Sequence, residues 1–409
     1  MSKLNDLILQ YCPEGVEYRP LGEVCQKIFA GGTPTSTNSA YYGGDIPWLR
    51  SGEVNFNEIT STEKYITEAG YNSSSAKWIE KESVLIAMTG ATVARSAMTL
   101  IPLTANQSVC ALVPNRDILN YRFLYYCISH DYEKIKAAAQ GALTSINLNL
   151  VKALSIPVPP LPVQEEIVRI LDNFSLLSAE LEAELEGRRK QYDFYRNQLL
   201  SFDSDSDSVQ WKKLEEIVSS HCNLSYGIVQ PGDDVNGGIP VVRPVDLGKG
   251  KIVISTLKRT KKEISDSYKR TILNGDEILL CVRGTTGIME LATEELRGCN
   301  VTRGIVPIAV DCQYNVRYIY HILKSDKIQS AIANKTNGAA LQQINVKDLR
   351  GLVIPIPSLE EQERIANILD RFDTLTNDLS AGLPAEIEAR KRQYEHYRDK
   401  LLTFKRKDA

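Results

Sequence analysis

The feature that most constrains this 409-residue chain is a line written twice. "IPVPPLPVQEEIVRILDNF" begins at Ile156 and "IPIPSLEEQERIANILDRF" at Ile354, 198 residues later (354 − 156), with eleven of nineteen positions identical. A shared preference for amphipathic helix would supply a few matches. It would not supply the ordered Ile-Pro-x-Pro-x-Leu-x-x-Gln-Glu-x-Ile-x-x-Ile-Leu-Asp-x-Phe, so the chain carries an internal duplication. Each copy opens a helix. The prolines hold the lead-in extended, Pro162 suits an initial helical position, and Ser358-Leu359-Glu360-Glu361 has capping-box form.

Apolar residues then recur at a mean step of 3.5: Ile167, Leu171, Phe174, Leu177, Leu181, Leu185, Tyr192, Tyr195, Leu199 and Phe202, broken only at Arg188. The second seam runs Ile365, Leu369, Phe372, Leu375, Leu379, Leu383, Ile387, Tyr394, Tyr397, Leu401 and Phe404. That period predicts a coiled-coil seam about 60 Å long at 1.5 Å per residue. The closing stretches "RRKQYDFYRNQLLSF" and "RKRQYEHYRDKLLTF" also match, but 202 residues apart (394 − 192), so the second copy holds four extra residues. Such an insertion keeps the seam on one face while unwinding the supercoil, and Gly382 and Pro384 beside it predict a kink. Two seams in one chain pair most simply with each other, antiparallel, as a rod. The tyrosines continue the seam and are read as its core rather than as stacking platforms.

Each helix follows about 150 residues of mixed composition, and these blocks echo each other more faintly. "GDIPWLRSGEV" from Gly44 resembles "GGIPVVRPVDL" from Gly237, and "SVLIAMTGATVA" from Ser83 resembles "EILLCVRGTTGI" from Glu277. Short β-rich runs punctuated by Gly, Pro and Asn predict compact strand-dominated globules with a few helices. The fold class is therefore α+β. The expected organisation is a globule over 1–155, a helix over 156–202, an acidic linker "DSDSDSVQ" over 203–210, a second globule over 211–353 and a second helix over 354–409. Helices that agree and globules that diverge point to one job done twice by the helices, and to two versions of a job done by the globules.

Composition is that of an ordinary soluble protein, 43% hydrophobic and 24% charged, with no run long enough to span a bilayer and a polar start that is not a secretory signal. Eight scattered cysteines without a Cys-x-x-Cys pair suit a reducing compartment, so a cytoplasmic location is expected. A net charge of −3 argues mildly against a free-standing nucleic-acid binder. Catalytic signatures are missing: there is no phosphate-binding Gly-x-x-x-x-Gly-Lys-Ser/Thr, no metal-ligand spacing among the four histidines, no Asp-x-Lys or Glu-x-Lys, and no Asn/Asp-Pro-Pro-aromatic corner. No catalytic residue and no metal site are expected in this chain.

The paired helix boxes, the two "QY-x-x-YR-x-x-LL-x-F" ends, "YCPEGVEYRPLGEVCQ" and "GGTPTSTNSAYYGGDIPWLRSGEVN" together resemble the specificity subunit of type I restriction-modification enzymes, over essentially the whole chain. That resemblance implies that the globules are target-recognition domains for double-stranded DNA and the helices conserved spacers. It also implies two methyltransferase subunits and, for cleavage, restriction subunits as partners, with S-adenosylmethionine, ATP and Mg bound by those partners and no cofactor here. Two different heads on a rod would read a split, asymmetric site, with half-sites near one helical turn, about 34 Å, apart. Four residues of helix would shift a head by roughly 6 Å, close to two base pairs.

Base contacts are expected from loop side chains that match groove edges. In the first head these are Arg50, Ser51, Thr89, Thr92, Arg95, Asn106, Gln107, Thr144 and Asn147. In the second they are Arg243, Arg283, Thr285, Thr286, Asn300, Thr302, Arg303, Gln342, Gln343 and Asn345. Turn chemistry alone would also explain Thr-Gly-Ala-Thr and Gly-Thr-Thr-Gly. Lys258, Arg259, Lys261 and Lys262 form a phosphate-binding run or a solvated face. Two other classes compete: a coiled-coil scaffold for protein partners, and a self-contained nuclease or methyltransferase.

Overall fold

The structure is a computed structural model that describes residues 2–139, 145–203, 208–219, 224–248, 250–336, 343–377 and 381–407. The chain divides into two compact units, one of Met1–Ala179 with Ala389–Ala409, the other Glu180–Glu388. The boundaries expected from sequence follow stretches of chain, whereas this division follows contacts and cuts through the helices. Half of the acidic linker, residues 204–207, lies outside the described residues.

In the first unit a five-stranded sheet runs in the order Cys25–Ala30, Val109–Pro114, Ser83–Ala87, Ser96–Thr99, Asn57–Ile59. Ser83–Ala87 and Val109–Pro114 are buried at every position, as continuous apolar runs must be when both faces of a strand are covered. A smaller sheet orders Tyr65–Ile66, Tyr42–Leu49 and Thr104–Ala105, the last two parallel. The second unit repeats both pieces in shorter form. Met289–Leu291, Ile278–Cys281 and Ile305–Ile308 make one sheet, and Lys258–Thr260, Ile239–Val242 and Asn300–Val301 the other. In each unit a first strand pairs antiparallel with a last one, Tyr18–Pro20 with Ser155–Pro157 and Gln210–Lys213 with Val353–Ile356. That closure puts the Ile-Pro-x-Pro lead-in at the exit of the globule.

The duplicated box is the joint between globule and helix. Gln164, fully buried, accepts from the Asn120 backbone N–H at 2.8 Å and donates to the Ile118 and Pro159 carbonyls at 2.8 and 2.6 Å. Gln362 does the same at the other box, accepting from Asn315 N–H at 3.0 Å and donating to the Pro357 carbonyl at 2.9 Å. Asn120 and Asn315 in turn cap the helices Tyr121–His130 and Val316–Leu323. The shared Asp also repeats its role. Asp172 accepts from the Tyr126 hydroxyl at 2.6 Å and meets Arg122 at 3.0 Å; Asp370 meets His321 at 2.8 Å and Arg317 at 3.0 Å.

The seams pair in opposite directions within each unit. In the first, Phe174 of the long helix Leu161–Leu199 lies against Tyr394 and Tyr397 of the helix Leu383–Leu402, with ring centroids 6.5 and 5.4 Å apart, and Ile167, Leu171 and Leu401 share one core. In the second, Phe372 of the helix Leu359–Asn377 lies against Tyr192 and Tyr195 at 6.2 and 5.6 Å, in a core with Ile365, Leu369 and Leu199. The tyrosines are packing residues, although Tyr195 remains 37% exposed. Two expectations change. The second copy is interrupted rather than kinked: Ala381 and Gly382 are non-helical between the described helices Leu359–Asn377 and Leu383–Leu402, and residues 378–380 lie outside the described residues. Pro384, at the second position of the later helix, cannot supply an N–H to a preceding turn. Leu177 and Leu375 are exposed rather than packed; Leu181 is half-buried, and Leu379 lies outside the described residues.

Candidate nucleic-acid interface

Three backbone hydrogen bonds lace together the turns that carry the expected contact residues. In the first unit the strand Tyr42–Leu49 runs into Arg50, and Asn106 N–H donates to the Leu49 carbonyl at 2.9 Å. Met88 N–H donates to Ser108 at 2.8 Å, Ile146 N–H donates to Met88 at 2.8 Å, and Thr89 bridges Ser145. Arg50 and Ser51, Asn106 and Gln107, Thr89, and Asn147 are thereby brought to one set of adjoining turns. Thr92 joins them through its hydroxyl, which donates to the Ser51 carbonyl at 2.9 Å.

The second unit has the same lacing. Thr302 N–H donates to Val242 at 3.0 Å, Val282 N–H to Gly304 at 2.8 Å, Ile344 N–H to Val282 at 3.1 Å, and Arg283 bridges Gln343. This fixes the correspondence residue by residue: Arg50 with Arg243, Thr89 with Arg283, Asn106 with Thr302, Gln107 with Arg303, Ser145 with Gln343, Asn147 with Asn345. Thr144 and Gln342 lie outside the described residues.

The side chains divide into those held by the protein and those left available. Arg243 is held: it makes two bonds to Asp246, at 3.0 and 2.9 Å, and this partner pushes its guanidinium pKa up. Arg50 is held likewise, by Glu63 and Glu53, each three-residue turn being capped by an acid three positions on. Asn147 accepts from Leu150 N–H at 2.8 Å as a helix cap. Gln107 pairs with Thr33, and the Asn106 amide oxygen accepts from Ser108 N–H at 3.2 Å. The Thr285 hydroxyl lies 3.5 Å from the Cys281 thiol. Arg95 donates to the neutral Asn55 at 2.8 Å and so keeps its charge uncompensated by that partner. Among the described residues, the Arg283 and Arg303 side chains form no hydrogen bond and no ion pair; Arg283 is half-buried, Arg303 exposed. On the same turns the half-buried Thr302 donates its hydroxyl to the Val242 carbonyl at 3.4 Å, and Asn345 is exposed.

Asn300 is a correction. It is 0% exposed, and its amide accepts from Thr271 at 2.7 Å and donates to Ser265 at 3.0 Å inside the smaller sheet. Its counterpart is the equally buried Thr104, since Val241 pairs with Asn300 as Trp48 pairs with Thr104. Aligning "LTANQSV" with "CNVTRGI" would have shown this, because it places Asn300 within a strand and not on the turn.

Sequence reasoning passed over Phe56. It is exposed, holds a left-handed φ of 54°, and meets Tyr132 edge-to-face at 5.1 Å beside Asn55 and Arg95. A strained, exposed aromatic is a functional-site signature that only backbone geometry reveals. Of the basic run, Lys258, Lys261 and Lys262 are exposed, while Arg259 donates to the Gly238 carbonyl at 3.0 Å. Among the described residues, no group of three His, Cys, Asp or Glu is placed to hold a metal ion, and no helix is long and apolar enough to cross a membrane.

A sequence profile described as the type I restriction modification DNA specificity domain matches residues 13–187 and 208–389. The specificity subunit of type I restriction enzyme EcoR124I/EcoR124II from Escherichia coli is 37% identical over 62% of this chain and 63% of its own length, so less than two thirds of that relative is covered. The EcoprrI specificity subunit, also from E. coli, is 30% identical over 93% of each chain. The putative specificity subunit S.HindORF215P of Haemophilus influenzae is 29% identical over 98% of this chain and all of its own. In fold, the chain is similar to a crystal structure of the S subunit of a type I restriction-modification system from M. genitalium, at TM-score 0.57 and 16% identity over 95% and 96% of the two chains. It is also similar to a chain from a structural study of type I system assembly, at TM-score 0.62 and 19% identity over 95% and 97%.

Proposed function

This chain belongs to the type I restriction modification DNA specificity domain family, and we propose that it is the DNA-reading subunit of such an enzyme, each unit reading one half of a split, asymmetric site. The observation that carries this is the twofold recurrence of one lacing of turns, bearing different side chains in each copy. Shared backbone with divergent donors and acceptors is what two readers of two different sequences need, because base identity is carried by groove-edge hydrogen bonds.

Methyltransferase subunits, two by family resemblance, would dock on it, with restriction subunits added for cleavage. S-adenosylmethionine, ATP and Mg would be held by those partners, and the complex would work in the cytoplasm. Partner charge would also offset the chain's own net −3 in the field of the phosphates. The helices would set the number of unread bases between half-sites. Adding one heptad to both strands of the pair, about 10 Å, should lengthen that gap by roughly three base pairs.

The test is the methylome of the host with this gene intact and deleted. Loss of one split, adenine-methylated motif is the expected result. An unchanged methylome in cells that express the chain would favour the scaffold.

A further inference from the structure

Among the matched residues of the laced turns, two positions change from neutral in the first unit to cationic in the second. Where the first places Thr89 and Gln107, the second places Arg283 and Arg303. These two arginines sit on neighbouring turns. Val282 N–H donates to the Gly304 carbonyl at 2.8 Å, Ile305 N–H closes its turn on Thr302 at 2.9 Å, and a Cβ on Gly304 would lie 3.8 Å from the Arg283 carbonyl oxygen. Arg243 is matched by Asp246 and Arg50 by Glu53 and Glu63, while Arg95 of the first unit donates to the neutral Asn55. Arg283 and Arg303, among the described residues, have neither a carboxylate nor a carbonyl partner for their side chains. With no such partner among the described residues, both guanidinium forks are left free for an acceptor from outside.

The acceptor could be a phosphate or a base edge, and the comparison between the units separates them. Phosphates are present in every DNA sequence, so a phosphate contact would be wanted in both units. A position that changes from neutral to cationic between otherwise matched readers behaves as one that reads sequence. A guanidinium presents a planar fork, and the base edge that offers two acceptors to that fork is guanine, through O6 and N7 in the major groove. We propose that Arg283 and Arg303 each read a guanine, so that the half-site taken by the second unit contains G·C pairs at the positions they face. Thr89 and Gln107 make no such demand on the first half-site. This rests on the functional reading above and names the bases for one of its two sites.

The experiment uses the complete complex, with its own motif taken from the methylome. Arg283→Thr and Arg303→Gln place the first unit's residues in the second. Each is expected to turn one guanine of one half-site, or its complementary cytosine, into an unread position, leaving the other half-site as it was. Discrimination against the wrong base there should fall by roughly 5- to 150-fold, the range for one bidentate pair. In parallel, the unaltered complex is offered duplexes with 7-deazaguanine at each guanine of that half-site, which removes N7 without disturbing pairing. An affinity loss of about fivefold or more at those guanines is expected, and this arm is independent of whether the variants fold. A half-site without G·C pairs, an unchanged motif in active variants, or no response to 7-deazaguanine would each overturn the proposal. So would a uniform loss across all sequences with a salt slope smaller by about one, the signature of phosphate contact. If no motif depends on the gene at all, the functional reading itself fails, and that outcome is distinguishable from all of these.

Discussion

The two units keep the same joint between globule and helix but surround it differently. Gln164 and Gln362 occupy matching sites, and Asp172 and Asp370 each take an arginine from the neighbouring helix, Arg122 and Arg317. Yet the second partner is Tyr126 in one unit and His321 in the other, and Glu166 in one stands where Arg364 stands in the other. The difference shows why the boxes are so alike. Among the identical letters of the box, the glutamine is the buried polar group whose loss would strand several backbone partners at once. Glu166 and Arg364 differ at one place because their partners are side chains.

The largest effect should therefore come from the glutamines. Gln164→Ala leaves the Asn120 N–H and the carbonyls of Ile118 and Pro159 without partners in a dry site, at about 3 kcal/mol. Gln362→Ala strands two groups, at about 2 kcal/mol. Amide hydrogen exchange resolved by region should show each variant loosening its own unit. Equal protection in both units after either change would mean that the joints are not independent copies.

Asp370→Asn is the next step down. Burial acts to raise the Asp370 carboxyl, but hydrogen bonds and charge from His321 and Arg317 outweigh it and leave its pKa below the ordinary 3.8. A depressed carboxylate stabilises the fold above its unfolded pKa, and that contribution is lost as pH falls through the folded value. The second unit should thus lose protection below about pH 4, and Asp370→Asn should cost about 1 kcal/mol at neutral pH while flattening that acid limb. An acid limb unchanged in the variant would place the sensitivity elsewhere.

Much of this was legible in the sequence, and what was not has identifiable causes. The duplication, the seam and its packed tyrosines follow from spacing, which registers any residue that recurs on one helix face. The turns with Arg50 and Thr89 follow from echoes between the halves. The interruption at Ala381 and Gly382 reads as a kink in the sequence because a stutter preserves the seam's phase whether or not the helix continues. Asn300 reads as a contact residue because an asparagine on a two-residue strand looks like one on a turn; the parallel pairing with Val241 separates them, as does matching it to Thr104 between the halves. The strained Phe56 left no trace in sequence at all.

The smallest predicted effect asks whether acid sensitivity is shared by the two joints or particular to each. Glu166 is 1% exposed and takes Arg169 at 2.6 Å and Lys3 at 2.8 Å, and those hydrogen bonds, Arg169's foremost, bring its pKa from 4.5 down to about 2. The folded value lies below the unfolded one, so its contribution is complete above about pH 4.5 and drains away between there and pH 2. Lys3 and Arg169 are themselves mostly exposed and screened, which holds the contribution to about 1 kcal/mol rather than the larger figure the shift alone would imply. Glu166→Gln should soften the acid limb of the first unit and leave that of the second untouched, since Arg364 at the matching place pairs with Glu361 instead. High salt should mimic the substitution in part, because the partners are exposed. Softening of both limbs by Glu166→Gln would mean that the units open together, and the contrast drawn between their joints would have to be given up.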